Sequence, residues 1–259
     1  MSLKIRNILS DKNIKIKEIY KKKDELYIFE GVKLVKDLSS RGFSPDIVLI
    51  REDYEDQIDL REKNYKELWY VSEKAIKKIS SLKNSSPLIA IYEKLPESTN
   101  FFDTPVIFAM DGIQDPGNLG SIFRCAAAFG IKSVALIGSC VKLTNTKFLR
   151  TSQNSVFYVN TKIFESMEQF AKEIEGNGFN MYLTTSYNKK KFVAVNKITF
   201  PAVIVLGNEG SGIDGKFFEE YPAISIIQTS IVESLNAGIS GCILMNKISE
   251  IFNLLPYSK

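Results

Sequence analysis

The chain has 259 residues, of which 44% are hydrophobic and 25% charged, a composition typical of a globular protein. No apolar run approaches the roughly 20 residues that a membrane-spanning helix needs, and the first 23 residues lack the apolar core of a secretion signal. The absence of histidine excludes a Ser-His-Asp hydrolase and removes the commonest metal ligand. Three cysteines without a CxxC spacing favour buried thiols over a disulfide framework or a zinc site. We therefore expect a cytoplasmic protein without a metal ion.

The charge is unevenly distributed along the chain. The net charge is +4, but residues 1–23 carry eight basic and two acidic side chains, so the remainder is slightly acidic. Lys21, Lys22 and Lys23 end this basic stretch and are the candidate contacts to nucleic-acid phosphates. A solvated helix face explains the same pattern equally well.

The first part of the chain alternates between short strand and helix patterns. The predicted elements are a helix at 11–25, a strand at 26–31, a helix at 31–42, a strand at 46–50, a strand and helix within 67–82, and a strand at 88–93. This alternation predicts a small α/β domain at 1–95. The polar, proline-containing stretch 94–105 predicts a linker, which we place at 96–103.

The remaining part, 104–259, contains short apolar runs without polar alternation, as in strands buried on both faces of a parallel sheet. These runs are 106–110, 133–138, 179–184, 202–207 and 224–228, with helix patterns at 119–129, 164–176 and 238–254. We expect a mostly parallel sheet with helices on both faces. Ligands of such a sheet bind at the carboxyl ends of the strands.

Residues 112–130, GIQDPGNLGSIFRCAAAFG, predict a tight loop that leads from a strand into a helix. Asn118 or Ser121 is placed to cap this helix. Ile122, Ala126 and Phe129 share one face of it, and Arg124 points away from that face. A surface arginine is the ordinary explanation. However, a cation near a helix N-terminus is unfavourable for the helix dipole, so another use is plausible.

Two further loops follow apolar strands of the same predicted sheet. One is 203–213, VIVLGNEGSGI, with Glu209 at its centre, and the other leads into the last helix at Ser234 and Asn236. Because all three loops follow parallel strands, we expect them to meet at one edge of the sheet. Each of these residues alone is uninformative, since glycine turns and Ser-x-Asn helix caps are common.

Taken together and in this order, DPGNLGSIFRCAAAFG, VLGNEGSGI and ESLNAGISGCILM resemble the three motifs of the SpoU-type RNA 2′-O-ribose methyltransferases of the SPOUT superfamily. The resemblance covers about 104–254. The stretch FEGVKLVKDL also resembles the L30e-like RNA-binding domain that often precedes such a catalytic domain. The resemblance implies a homodimer formed through the C-terminal domain, with structured RNA as substrate and rRNA favoured over tRNA.

The resemblance also implies a cofactor and roles for individual residues. S-adenosylmethionine would lie in a trefoil knot, held by backbone groups near Leu206, Gly207, Ile227 and Leu235. Arg124 matches the arginine that activates the ribose hydroxyl, and Asn118 matches the asparagine that supports it. The remaining polar positions of the motifs are Glu209, Ser234 and Asn236. Gln228 and Thr229 depart from the Pro-Met pair that is usual in the family.

The hydroxyl of a ribose is a weak nucleophile, so the protein must align it with the methyl donor and help to remove its proton. Arginine stays protonated in proteins and is an awkward base. We therefore hypothesise that Arg124, held by Glu209, positions the hydroxyl and a nearby phosphate. Two alternatives remain open, a non-catalytic RNA-binding or assembly protein on the same fold and a nucleotide-dependent α/β enzyme of another class. The absence of a P-loop and of a dinucleotide fingerprint counts against the second.

Overall fold

The computed structural model describes residues 7–57, 65–96, 100–186, 193–229 and 231–254. These residues form two compact units. The N-terminal unit comprises the described residues up to Pro96 together with Leu143–Asn154. The C-terminal unit comprises the other described residues, on either side of that segment.

The helices are α1 Ile14–Lys22, α2 Val32–Ser40, α3 Glu73–Ile79, α4 Pro116–Ala128, α5 Thr146–Ser152, α6 Met167–Gly176, α7 Phe217–Glu220 and α8 Ala237–Ile251. The strands are β1 Tyr27–Glu30, β2 Ile47–Arg51, β3 Glu67–Val71, β4 Leu88–Tyr92, β5 Val106–Asp111, β6 Ser133–Ile137, β7 Asn160–Phe164, β8 Asn180–Thr184, β9 Ala202–Leu206 and β10 Ala223–Ile224. No helix of the described residues is long and apolar enough to cross a membrane.

The N-terminal unit is built on a four-stranded sheet with the order β1-β4-β2-β3. Strand β4 pairs antiparallel with β1 and β2, whereas β3 pairs parallel with β2 and lies at the edge. Ile16 and Ile19 of α1 and Ile76 of α3 are buried in one apolar cluster with residues of this sheet. All the helices and strands predicted for this part of the chain are confirmed in kind and order.

Segment Leu143–Asn154, which contains α5, belongs to the N-terminal unit although it lies between two strands of the other unit. The Thr144 hydroxyl donates to the Asp24 carbonyl at 2.7 Å, and the Asn154 amide donates to the Asp37 carboxylate. The carboxylate pKa of Asp37 is lowered by its hydrogen bond with Arg41 and further by Asn154. Helix α5 was not predicted, because seven residues are too few for a clear helical periodicity.

The C-terminal unit has a six-stranded, entirely parallel sheet with the order β10-β8-β9-β5-β6-β7. Its predicted strands and its parallel pairing are confirmed. The strand predicted at 224–228 is wrong in extent, because β10 ends at Ile224. Strand β7 was not predicted because its sequence, NTKIF, is mostly polar, as suits an edge strand.

Helices cover both faces of this sheet. On one face, Phe170 and Ile174 of α6 share a buried cluster with Ile107 and Val205. Leu206 follows Val205 and therefore points to the opposite face, where α8 approaches it at Gly241. Helices α4 and α8 pack closely against each other. As a result, the loops after β5 and β9 and the start of α8 are brought to the same edge of the sheet.

Candidate active site

The entry to α4 differs from the expectation in its capping residue. The prediction that Asn118 or Ser121 caps the helix was wrong, because α4 begins at Pro116 and Asp115 is its N-cap. The Asp115 carboxylate accepts a hydrogen bond from the Asn118 backbone N–H at 2.8 Å. Proline fits the first helical position, where its missing N–H costs nothing. The earlier start leaves the side chain of Asn118 available for another contact.

That contact is with Glu209, in the loop after β9. Nδ2 of Asn118 donates to Oε1 of Glu209 at 2.8 Å, so residues 91 positions apart in the chain meet at the site. The turn that carries Glu209 is tight, since a Cβ on Gly207 would lie 2.6 Å from the carbonyl carbon of Gly212. Only glycine fits at position 207 without displacing backbone.

Asn208 holds the same turn in place and was missed by the sequence analysis. Its Nδ2 donates to the Gly112 carbonyl at 2.7 Å, which ties the loop after β9 to the loop after β5. Its Oδ1 accepts from the Gly210 N–H at 2.8 Å and the Ser211 N–H at 3.3 Å. An asparagine that follows a strand-ending glycine and precedes a turn was the available signal, since Asn side chains often bond to the backbone two residues on.

The start of α8 completes the cluster. Asn236 is the N-cap of α8, and its side-chain oxygen accepts from the Ile239 N–H at 3.2 Å. A Cβ on Gly238 would lie 3.2 Å from both Asn118 and Asn236, so this glycine lets the two helices approach closely. The structure therefore brings Asn118, Glu209 and Asn236 together, as expected if the three loops meet at one edge of the sheet.

Arg124 lies on the exposed side of α4, away from the buried Ile122 and Ala126, as predicted. Phe129, the third residue expected on the buried face, is half-buried at the C-terminal cap. The hypothesis that Glu209 holds Arg124 is not supported by the geometry, because among the described residues the Glu209 carboxylate bonds to Asn118 and not to Arg124. No ion pair or hydrogen bond of the Arg124 guanidinium occurs among the described residues.

The residue after Arg124 corrects a prediction about cysteines. Cys125 of α4 and Cys242 of α8 form a disulfide, with Cα atoms 5.5 Å apart, so the expectation of three free thiols was wrong. The pairing depends on how α4 and α8, which are far apart in the sequence, cross each other. The spacing of the cysteines in the sequence does not reveal this. The three cysteines are half-buried rather than buried, and Cys140 is a free thiol whose pKa is raised by burial.

The other predicted site residues lie on exposed segments. Ser234 is exposed and Leu235 half-buried just before α8, and Ile227 is 93% exposed. Gln228, one of the two departures from the family pattern, donates from Nε2 to the Glu233 carbonyl at 3.3 Å. Ile231, also on this loop, is 88% exposed. We call the described residues 226–229 and 231–235 the motif 3 loop.

The predicted RNA contacts of the N-terminal unit are at the end of α1. Lys21 and Lys22 are exposed, and Nζ of Lys23 lies 5.1 Å from the ring centroid of Tyr20. A basic run at 189–191 lies outside the described residues. The part of the chain that the structure describes contains no cluster of three or more His, Cys, Asp or Glu side chains that could hold a metal ion.

One carboxyl group near the site has a raised pKa, because its surroundings disfavour its charged form. The pKa of Asp111, the last residue of β5, is raised by burial and further by the negative charges of Glu168 and Asp214. By contrast, Glu168 is paired with Lys216 at 2.7 Å, which lowers its pKa. Asp111 is thus a half-buried acid for which the folded protein disfavours the charged form.

Solved structures of RNA methyltransferases share this fold. The AdoMet-bound rRNA methyltransferase from Sinorhizobium meliloti superposes with a TM-score of 0.77 at 21% identity, over 95% of this chain and 98% of that one. The SpoU methyltransferase AviRb from Streptomyces viridochromogenes, solved with AdoMet, superposes with a TM-score of 0.78 at 17% identity, over 92% and 98% of the two chains. This chain therefore has the same fold as these two solved methyltransferases.

Sequence comparison identifies the family. Residues 105–246 match the SpoU rRNA Methylase family, and residues 13–90 match the MRM3-like substrate binding domain. The chain belongs to the SpoU rRNA methylase family. It is 27% identical to the 23S rRNA (guanosine(2553)-2′-O)-methyltransferase RlmP of Bacillus subtilis, over 93% of this chain and 98% of that protein. It is 30% identical to the mitochondrial rRNA methyltransferase 3A of Danio rerio, over 53% of this chain and 34% of that protein.

Proposed function

We propose that this protein transfers a methyl group from S-adenosylmethionine to a ribose 2′-hydroxyl of rRNA. The observation that carries the proposal is the convergence of Asn118, Glu209 and Asn236 at one edge of the parallel sheet. Arg124, on the same helix as Asn118, is exposed. In the sequence, these residues match polar positions of the family motifs. The RlmP relative acts on 23S rRNA, which favours rRNA over tRNA.

The residues around the glycine turn fit a bound S-adenosylmethionine. Ligand pockets combine apolar walls with a few backbone hydrogen-bonding groups. Here the buried strand β9 ends at Leu206, just before Gly207, and the motif 3 loop presents exposed apolar side chains at Ile227 and Ile231. The bound cofactor would supply a methyl group that is already activated by its sulfonium charge.

The protein's own contribution is orientation and charge. The Asn118–Glu209 hydrogen bond and the Asn236 cap arrange polar groups of the site before the RNA binds. Arg124 presents a planar, permanently charged donor, suited to bind a ribose oxygen and an adjacent phosphate at the same time. A phosphate oxygen or a water then accepts the proton of the hydroxyl. Ser234, exposed before α8, contributes a further hydroxyl at this edge.

The same loop supports the proposal of a homodimer through the C-terminal unit. Four exposed apolar side chains lie on the motif 3 loop and the first turn of α8, namely Ile227, Ile231, Val232 and Ile239. Exposed apolar residues that occur together mark interaction surfaces more often than single ones do. Sedimentation of the wild type and of Ile239→Glu would test this, with a dimer expected for the first and a shift to monomer for the second. The trefoil knot that the family resemblance implies stays a prediction.

In the N-terminal unit, we assign Lys21, Lys22 and Lys23 to the RNA backbone. Contacts between lysines and phosphates release bound counterions, so affinity for RNA should fall steeply as salt is added. A substrate of this kind would place the protein in the cytoplasm.

The test is the transfer of labelled methyl from S-adenosylmethionine to unmodified rRNA and tRNA transcripts. Wild type, Arg124→Ala and Lys132→Ala are compared, with cofactor binding followed by calorimetry. Lys132 is an exposed cation that precedes β6, at the opposite edge of the sheet from the site, and serves as the control. We expect incorporation into rRNA by the wild type and the Lys132 variant, and its loss in Arg124→Ala.

The position of the methyl group distinguishes the reaction from base methylation. A methylated 2′-oxygen can no longer attack the adjacent phosphate, so the modified linkage resists alkali. Incorporation that is fully sensitive to alkali would contradict ribose methylation. Binding of RNA without binding of S-adenosylmethionine would instead indicate a non-catalytic RNA-binding protein.

A further inference from the structure

The N-terminal unit contains a surface groove that the methyltransferase reaction does not use. It has a volume of about 460 Å³ and lies between the residues around the start of α1 and the edge strand β3. Its lining includes Asn7, Asn13, Ile14, Lys15, Trp69 and Tyr70. This volume is within the range of small-ligand sites, and the walls combine aromatic and aliphatic surface with amide groups. We call it the Trp69 groove.

Trp69 is the only tryptophan of the chain, and it is half-buried. Part of its side chain packs against the buried cluster of the N-terminal unit. Nζ of Lys15 lies over the ring, 4.5 Å from its centroid, and the indole N–H donates to a carboxylate oxygen of Glu67 at 2.8 Å. The indole is thus held in place by the buried cluster and by Glu67. The side chain of Lys15 lies over its ring.

Lys15 is weakly held over that ring. Its only charged partner among the described residues is Glu67, at 3.3 Å, and the two side chains are 51% and 53% exposed. Exposed ion pairs and exposed cation–π contacts are both easily exchanged for other partners. Lys15 also lies in the first turn of α1, where a positive charge is unfavourable for the helix dipole. The lysine can therefore leave the ring at little cost when a stronger anion is offered.

The charge around the groove favours an anionic ligand. Helix α1 carries four lysines and one acid, Glu18. Lys15 is the one charged residue that lines the Trp69 groove, and Glu67, which bonds to Lys15 and to the indole, lies beside it. Each of the two other cavities described in this unit is lined by two acids and two bases, which are Asp46, Glu93, Lys66 and Lys94 in one and Glu30, Asp37, Lys33 and Arg150 in the other. Lys15 and Lys22 are seven residues apart and so lie on the same side of α1, where they can follow a phosphate backbone.

We propose that the Trp69 groove binds one unpaired base of the RNA substrate, stacked on the indole of Trp69. Every base offers a flat face to an aromatic ring, and unpaired bases are what proteins read in structured RNA. Lys15 turns from the ring to the phosphate of the same nucleotide. Asn7 faces the edge of the base, together with Nδ2 of Asn13, whose Oδ1 caps α1. This inference rests on the proposed function, since it assumes that the substrate is RNA.

The single tryptophan makes the test direct. The fluorescence emission of Trp69 is measured in the full-length protein while a short single-stranded RNA is added. The same strand in a fully paired duplex is the control. Binding is followed in parallel by the anisotropy of a label on the RNA. Quenching of the Trp69 emission by the single strand, at the concentrations at which the strand binds, supports the proposal that a base binds in the Trp69 groove. Binding of the single strand without any change in emission would overturn it.

Single substitutions distinguish the contribution of base stacking to RNA binding from the contribution of charge and from a loss of folding. Trp69→Ala should weaken binding of the single strand by about 5- to 150-fold, the usual cost of losing one stacked base, and Trp69→Phe should retain most of the affinity. Lys15→Ala should weaken binding and reduce its salt dependence. Lys77→Ala is the matched control, because Lys77 is an exposed lysine of the same unit in an ion pair with Glu73. If Trp69→Ala does not fold, the Trp69→Phe variant and the quenching experiment still decide the question.

The outcomes distinguish failure of the groove from failure of the proposed function. Methyl transfer to rRNA by a protein whose Trp69 emission is unchanged by RNA would retain the function and reject the groove. Quenching by single-stranded RNA without any methyl transfer would retain the groove and reject the function. Equal affinity of wild type and a folded Trp69→Ala variant would also reject the groove.

Discussion

Asn118 and Arg124 lie on the same helix and belong to the same sequence motif, yet their surroundings differ sharply. Asn118 lies beneath Gly238, bonds to Glu209, and is close to the cap of α8. Arg124 is exposed and makes no hydrogen bond or ion pair with the described part of the chain. Polar groups that bond to the protein fix its shape, whereas a guanidinium whose five donors bond to none of the described residues is available to a substrate.

This contrast predicts which measurement each substitution will affect. Changes at Arg124 should reduce catalysis and leave stability unchanged. Changes in the contacts of Asn118 and of the glycine turn should affect stability or cofactor binding as well.

The largest effect is expected for Arg124→Lys. Lysine keeps the charge but has neither the planar shape nor the two parallel donors of a guanidinium. We expect the kcat for methyl transfer to fall by about 100-fold or more, because alignment and proton transfer both depend on that geometry. The Kd for S-adenosylmethionine and the midpoint of urea unfolding should be unchanged. Near-full activity of Arg124→Lys would mean that only its charge matters.

The second prediction concerns the glycine turn after β9. In Gly207→Ala, the new Cβ would lie within 2.8 Å of the backbone of Gly212 and of Ile213, so the turn must move. Overpacking of this kind costs about 1–3 kcal/mol in the free energy of unfolding. We expect that loss in urea unfolding, together with weaker binding of S-adenosylmethionine by calorimetry.

Gly215→Ala is the matched control for this change. Position 215 follows the same turn, and a Cβ there meets nothing within 4 Å. The control should bind the cofactor as the wild type does. If Gly207→Ala bound it equally well, the tightness of the turn would have no role in binding.

The third prediction is a double-mutant cycle on Asn118 and Glu209. Their hydrogen bond is at the surface, so the coupling free energy in unfolding should be only about 0.5–1 kcal/mol. Asn118→Ala and Glu209→Gln are measured singly and together by urea unfolding. Additive effects would show that the contact does not hold the two loops together. Asp103→Asn, on an exposed residue before β5, provides the baseline.

The same contrast explains how much of the site could be read from the sequence. The three loops were predicted to meet because parallel strands place their carboxyl ends at one edge, and the pairing of β5, β6, β8 and β9 confirms that geometry. The exposure of Arg124 followed from its angular position on the helix. These are consequences of periodicity and of sheet topology, which a single sequence contains.

The contacts themselves could not be predicted. Asp115 rather than Asn118 caps α4, because a proline at the first helical position moved the start of the helix. Which side chain Glu209 would bond, and that Cys125 would meet Cys242, depend on how α4 and α8 cross. Asn208 was missed for the same reason, since one of its partners, Gly112, lies 96 positions away. Long-range partners of this kind are set by packing and leave no local pattern.

The smallest effect is expected for Asp111→Asn, whose effect on the free energy of unfolding should depend on pH. Burial, together with Glu168 and Asp214, raises the pKa of Asp111 above its ordinary value of 3.8. The folded protein therefore holds the proton of Asp111 more tightly than the unfolded chain does, and ionisation of this group costs stability. That cost is fully present above the raised pKa and disappears below pH 3.8. Removing the charge should thus stabilise the protein at neutral pH and have no such effect in acid.

The measurement is the urea midpoint of the transition that unfolds the C-terminal unit, followed for wild type and Asp111→Asn from neutral pH downward. The two curves should be apart at neutral pH and converge as the pH falls through the raised pKa of Asp111. A separation that does not change with pH would mean that the variant acts through packing rather than charge. Convergence would identify Asp111 as an acid kept at the edge of the site at a cost to stability, a pattern found more often at functional sites than elsewhere.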